Sequence, residues 1–104
     1  MIVRIWHGRT RHERADEYAA FLTLRAIPDY RGTPGNLEAA ILRRDEADAS
    51  HFLTVTRWES EDAIRAFAGS EVLKAKYYAE DKDFLLEFED NVQHYVVVAR
   101  GSTD

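Results

Sequence analysis

Residues 52–67, FLTVTRWESEDAIRAF, constrain the fold more than any other stretch, because they turn an apolar strand into a helix through a tryptophan and a serine. Phe52, Thr54, Val55, Thr56 and Trp58 are β-branched or aromatic and suit a pleated, half-buried surface. Ser60 stops the strand. Its hydroxyl can accept from the orphan amides of a first helical turn, while Glu61 and Asp62 set negative charge against the positive end of the helix dipole. Ala63, Ile64 and Phe67 recur at helical spacing, so that this face turns back onto the sheet.

The rest of the chain brings the elements to six. Ile2 to Gly8 reads as a strand, and Thr10 with Glu13 three residues later reads as a capping box opening a first helix. Its inner stripe is Ala15, Tyr18, Ala19, Leu22 and Ala26, and Pro28 is expected to stop it near Ile27. Asp29 to Asn36 reads as a loop with a turn at Pro34-Gly35. A second strand, Leu37 to Arg43, joins the third through a polar turn at Asp45 to Ser50. The second helix covers Glu61 to Ala68 and ends at Gly69. Ser70 is expected to cap a shorter helical segment through Tyr77, and Tyr78 to Asp90 reads as a loop with one helical turn. Val92 to Ala99 forms a fourth strand. Residues 1–99 read as one domain, with 100–104 a polar tail.

This order, βαββαβ, is the ferredoxin-like arrangement: an α+β fold with a four-stranded antiparallel sheet and helices on one face. The strands carry apolar residues on both faces: Leu53 and Val55 oppose Phe52 and Trp58, and Tyr95 and Val97 oppose Val92, Val96 and Val98. Helices cover only one face, so the second predicts a homodimer through the sheet face. A domain of 104 residues buries about two-thirds of its unfolded surface, so a partner subunit would add stability.

Composition narrows the function classes. Fourteen basic against 19 acidic residues give a formal charge of −5, which disfavours nucleic acid despite the local cluster Arg9, Arg11 and Arg14. The absence of cysteine removes disulfides, thiolate catalysis and iron–sulfur ligation. Strand character begins at Ile2, leaving no room for a signal peptide, and Tyr95 to Ala99 is too short to span a bilayer. The chain therefore reads as soluble and cytoplasmic, without a membrane partner.

Candidate site residues are aromatic or titratable. Trp6 or His7, Trp58, Phe67, Tyr77, Tyr78 and His94 are expected to line a pocket between helices and sheet, suited to a flat organic ligand. The same aromatics read equally as core. His94 is either a structural histidine in an apolar strand or a proton acceptor, since histidine changes charge near neutral pH, and His7 is weighed in the same way. His12 and His51 flank turns and read as solvated. Arg4, Arg43 and Arg57 lie on strands, where charge is unusual, and read as edging the sheet, pairing with acids across a dimer or holding an anionic substrate group, with Arg57 taken as a substrate-binding candidate. The acidic group Glu80, Asp81, Asp83, Glu87, Glu89 and Asp90 lacks a calcium-loop glycine and reads as a solvated run. There is no helical zinc pair, Walker loop, dinucleotide fingerprint or nucleophile elbow.

The element order, the junction Trp58-Glu59-Ser60-Glu61, the helix through Phe67 and the ending Val92-Gln93-His94-Tyr95-Val96 resemble the antibiotic biosynthesis monooxygenase family over Ile2 to about Ala99. The resemblance implies pairing as a dimeric α+β barrel. Related domains include quinone-forming oxygenases, heme-degrading oxygenases and isomerases. Quinone-forming members use neither metal nor flavin, because a deprotonated phenolic substrate can itself deliver an electron to oxygen. Their motif tryptophan has asparagine four residues before and tyrosine six after; here these positions hold Thr54 and Ile64, and only Trp58 matches. Heme-degrading members carry an Asn, Trp and His set, which falls near His7 or Trp6, at Phe67 and at Tyr77; the ligand histidine is missing here, and Tyr77 or His7 is the remaining candidate iron ligand. The resemblance thus implies a cofactor-independent monooxygenase acting on a small aromatic or polyketide-like substrate, with catalytic candidates His94 and His7 and neither cofactor nor metal. The alternative is a non-catalytic dimeric barrel that binds a small hydrophobic ligand.

Overall fold

The computed structural model describes residues 1–101. Of the polar tail expected over 100–104, residues 102–104 lie outside the described residues. Four strands, β1 (Ile2–Thr10), β2 (Asn36–Asp45), β3 (Ser50–Trp58) and β4 (Gln93–Val96), form one antiparallel sheet in the order β2-β3-β1-β4. Helices α1 (His12–Phe21), α2 (Ile27–Arg31) and α3 (Glu61–Ala68) complete the ferredoxin-like α+β fold. Among the described residues no helix is long and apolar enough to cross a membrane.

Register divides the sheet residues into two sets. Alternation along β1 and β3 buries Arg4, Trp6, Gly8, Thr10, Phe52, Thr54, Thr56 and Trp58 beneath the helices. Against them pack Ile64 of α3 and Ala15, Tyr18, Leu22, Ala26 and Tyr30, the stripe expected from the sequence continued by one further turn, with Ala19 only partly buried. The opposite face carries Val3, Ile5, His7, Leu53, Val55 and Arg57, all half-buried, with Leu42 and Tyr95 exposed. Its apolar character is the feature that the sequence pattern anticipates.

Several boundaries differ from expectation. Thr10 does not cap α1: it is fully buried at the end of β1 opposite Ser50, its hydroxyl donates to the Arg11 carbonyl, and the N-cap is Arg11, without a side-chain cap. Pro28 does not end the helix. A π-helical stretch, Leu22–Ala26, ends with the Ile27 amide donating to Leu22 five residues back, and Pro28 then falls in the first turn of α2, where its fixed φ suits a helix start. The expected loop shrinks accordingly to 32–35.

Ser70 caps nothing, and 70–77 is not helical. Tertiary bonds take its backbone groups: Ala75 donates to the Asp90 carbonyl, Val92 donates to Leu73, and Arg4 takes the Val72 and Lys74 carbonyls. β4 is shorter than expected because its pairing runs out where β1 begins, with Val96 opposite Ile2. The helical turn expected within Tyr78 to Asp90 is a 3-10 turn over Ala79–Asp83.

The strand-to-helix corner forms as read. Ser60 Oγ accepts from the Ala63 amide at 3.2 Å, and α3 closes at Gly69, with φ of 94° and an amide donating to Arg65. Gly35 holds this corner from the other side. At φ of 90° it accepts from the Glu59 amide at 2.9 Å, and a Cβ there would overlap the Ala63 methyl. Gly35→Ala is therefore expected to destabilise the protein by about 1–3 kcal/mol, through left-handed backbone strain and overpacking together. Urea denaturation checks this; an unchanged midpoint would contradict it.

Candidate functional site

The helix side of the sheet gathers most of the sequence-selected residues around two aromatic groups. Trp58 is fully buried at the end of β3, and its indole N–H donates to Thr56 Oγ1 at 2.8 Å. Tyr30 and Phe67 pack on it with ring centroids 6.4 and 5.8 Å away, and these two stack on each other at 4.6 Å. Lys76 Nζ lies 4.0 Å from the Phe67 centroid and reaches Asp29, which also accepts from the Tyr78 hydroxyl at 2.6 Å. Trp6 meets the edge of Tyr77 at 5.9 Å, and the Tyr77 hydroxyl donates to the Glu89 carbonyl at 2.6 Å. Trp6 rather than His7 thus belongs to this face. Gly8, two residues on, leaves room for the indole, since a Cβ there would sit against the Trp6 ring and Leu85.

One buried polar group lies on the same sheet face. Arg4 is 2 % exposed, and its guanidinium donates to the carbonyls of Val72 and Lys74 and to His94 Nε2 at 3.0 Å. Among the described residues no carboxylate pairs with it. An arginine offers donors only, so the Nε2 it meets is the unprotonated nitrogen of a neutral imidazole, whose proton is on Nδ1. Burial, and then the Arg4 charge, lower the His94 pKa below its ordinary value. Arg4 is one of the three strand arginines read from the sequence, but its bond to His94 was not foreseen. Its phase on β1, shared with Trp6, was the available signal, because a charge on the covered face of a strand must find partners.

The other two candidates lie elsewhere. His7 and Arg57 project from the opposite sheet face, where Arg57 pairs with Glu38 at 3.6 Å. His7 bonds Glu89 through Nδ1 and His51 Nδ1 through Nε2, the latter at 2.9 Å, beside a cavity of about 160 Å³ lined by Leu42, Arg43, Arg44, His51 and Leu53. His51 is therefore a half-buried strand residue and not a solvated turn histidine. The acidic run is likewise not uniformly solvated. Asp81 is 1 % exposed, accepts from the Tyr18 hydroxyl and the Tyr78 amide, and is held above the usual carboxylate range because burial outweighs those bonds.

The residues present do not fit a heme ligand set. The Tyr77 hydroxyl is committed to Glu89, and burial with the Glu89 charge pushes its pKa up to about 12, which disfavours a phenolate ligand. His7, the other candidate, is on the far face.

A family model described as antibiotic biosynthesis monooxygenase matches residues 1–76. No curated protein matches the chain. Among solved structures, a proposed antibiotic biosynthesis monooxygenase from Bacillus cereus is similar at 17 % identity, covering 98 % of this chain and 97 % of its own, with a TM-score of 0.66. The heme-degrader MhuD from Mycobacterium tuberculosis, solved with two hemes bound in its active site, is 21 % identical over 98 % of this chain and 100 % of its own, with a TM-score of 0.68. A third, from Nitrosomonas europaea and likewise a proposed antibiotic biosynthesis monooxygenase, is 16 % identical over 95 % and 100 %, with a TM-score of 0.68. At these identities the likeness is one of fold.

Proposed function

The chain belongs to the antibiotic biosynthesis monooxygenase family, and from that premise we propose that it is a monooxygenase of a small aromatic or polyketide-like molecule, working without an added cofactor at the helix-covered face of the sheet. The observation that carries this reading is the Arg4–His94 pair: a buried cation that no carboxylate pairs with among the described residues, bonded to a neutral histidine on the sheet face that also carries Trp6 and Trp58. The redox balance allows it. Oxidation of an activated ring methylene to a carbonyl consumes one dioxygen and releases one water, and the substrate supplies all the electrons. What remains for the protein is to orient the ring, exclude water and manage one proton.

The proposed proton step uses both members of the pair. A substrate hydroxyl entering beside Arg4 takes over its N–H donor, which frees the lone pair on His94 Nε2. The hydroxyl O–H bond then breaks, its proton passes to Nε2, and the oxyanion left behind remains on the guanidinium. Trp58, Phe67, Tyr77, Tyr78 and Trp6 are proposed to bind the ring, while His7 and Arg57 are assigned to the opposite face. Oxygen uptake by metal-free protein over a panel of anthrones, naphthols and hydroquinones tests the proposal. Uptake above the buffer rate is expected for at least one class; none across the panel would overturn it.

That opposite face is proposed to pair with a second copy. Val3, Ile5, Leu42, Leu53, Val55 and Tyr95 form an apolar surface that no element of the described chain covers, and covering it with the same surface of another molecule removes it from water. Sedimentation at micromolar concentration is expected to return twice the chain mass of 12.0 kDa. A single-chain mass would contradict the pairing.

A further inference from the structure

The β2–β3 hairpin ends in a polar group that the helix side of the sheet does not use. Its turn holds Glu46 and Asp48, both exposed, and the start of β3 brings up His51, half-buried on the face that no helix covers. A carboxylate oxygen of Glu46, one of Asp48 and a ring nitrogen of His51 lie within 4.8 Å of one another. Among the described residues no other three histidine or acidic side chains bring ligand atoms so close together.

A contact outside this group fixes which nitrogen His51 offers it. His7 Nδ1 meets the Glu89 carboxylate, which only accepts, so that nitrogen carries the hydrogen. With both rings neutral, His7 Nε2 then holds a lone pair, and it stands 2.9 Å from His51 Nδ1, which must donate to it. The His51 lone pair is left on Nε2. That nitrogen faces Glu46 Oε1 at 3.9 Å, so two acceptors confront each other with no hydrogen between them. A metal-binding histidine is commonly oriented in this way, by donating its other ring N–H to a fixed partner.

We propose that His51 Nε2, Glu46 and Asp48 bind one divalent ion of the zinc class, with water completing its coordination. The donor set selects the ion: carboxylates alone suit magnesium or calcium, whereas an imidazole among them favours zinc and its first-row neighbours. Zinc bonds of about 2.0–2.2 Å at the tetrahedral angle set ligand atoms roughly 3.4 Å apart, so the two exposed carboxylates need close by only about 1 Å. Arg44 pairs with Glu46, and Arg9 lies 3.7 Å from Asp48. Ion pairs with such exposed carboxylates are worth little, and a doubly charged ion held by three ligands displaces them. Once bound, the ion ties the tip of the hairpin to β1 through His51 and His7.

Calorimetric titration of chelator-treated protein with zinc chloride tests the assignment, with magnesium chloride run beside it. One zinc per chain is expected, and no saturable magnesium binding over the same range. Glu46→Gln and Asp48→Asn change exposed side chains and should leave the circular dichroism spectrum intact, yet each should weaken zinc by about tenfold or more. His12→Ala, which alters the other histidine beside this turn, at the Ala47 carbonyl, should leave the affinity unchanged. His7→Leu should weaken zinc by about 10–100-fold, the scale of an outer partner of a ligating histidine. His7→Gln, whose amide oxygen takes the place of Nε2, should restore most of that loss. Zinc should also raise the melting temperature of the intact protein and not that of the Glu46→Gln, Asp48→Asn double variant, because an ion that binds only the folded chain stabilises it. No saturable zinc binding, equal binding of magnesium, or an unaltered zinc affinity in the double variant would overturn the proposal. None of these readings involves oxygen uptake, so the metal site and the oxygenase reading stand or fall separately.

Discussion

Trp58→Ala is expected to lower stability by about 3–5 kcal/mol, the range for emptying a buried tryptophan site. The indole is wholly buried, touches both Tyr30 and Phe67, and bonds Thr56. Removing it opens a cavity at the meeting point of β3, α2 and α3, and neither partner ring can fill the space without losing the stack they share. A domain of this size has about 5–15 kcal/mol in total, so the variant should melt roughly 15–30 °C lower. Trp58→Phe should cost much less, since it keeps a ring and loses chiefly the N–H bond to Thr56. Calorimetry or urea denaturation decides. A loss below about 1 kcal/mol for the alanine variant would mean that Trp58 is not packed as described.

His94→Ala is expected to lower turnover by about 10²–10⁴-fold, the usual contribution of a positioned proton acceptor, while the protein stays folded. pH dependence gives the sharper reading. Burial and the neighbouring Arg4 charge lower the His94 pKa, so the neutral form persists to lower pH than in a free histidine. Activity should therefore be full above the lowered pKa and fall as pH drops through it, with a midpoint below the ordinary value of about 6.5. The sign for stability is the same. The folded state binds the His94 proton less readily than the unfolded chain does, so stability is present above the unfolded pKa and declines as pH falls below it. In His94→Ala the acid limb should vanish from what activity remains. A limb centred above 6.5, or one that survives the substitution, would assign the proton step to another group.

Much of the fold was legible because its signals are local. Ser60 with Glu61 and Asp62, the helical spacing to Phe67, and Gly69 at the helix end each act within one turn, and each formed as read. The misreadings come from longer range. Pro28 looked like a stop because the widened turn that accommodates it has no compositional mark. Ser70 looked like a cap because nothing nearby reveals that Arg4, 68 positions away from Val72, claims the carbonyls that a helix would have used. Thr10 resembled a cap residue, yet pairing with Ser50 across the sheet outweighed that local preference. The site was legible in part for the same reason. Trp58, Phe67 and Tyr77 announce themselves as aromatics at strand and helix spacing, but which sheet face a histidine occupies depends on register. A shift of one residue separates Trp6 from His7. Arg4 was visible only as a charge out of phase with its strand, and the bond that matters, to His94, joins opposite ends of the chain.

The most direct measurement is the fate of isotopically labelled dioxygen during turnover of a phenolic anthrone by chelator-treated protein with no cofactor added. The account predicts one labelled oxygen atom in the quinone product and the other in water, with labelled product forming about 10²–10⁴-fold more slowly in His94→Ala. Product without label, or product formed only when a metal or flavin is supplied, would contradict it; no product under either condition would leave the chain as a barrel that binds a small hydrophobic ligand without transforming it.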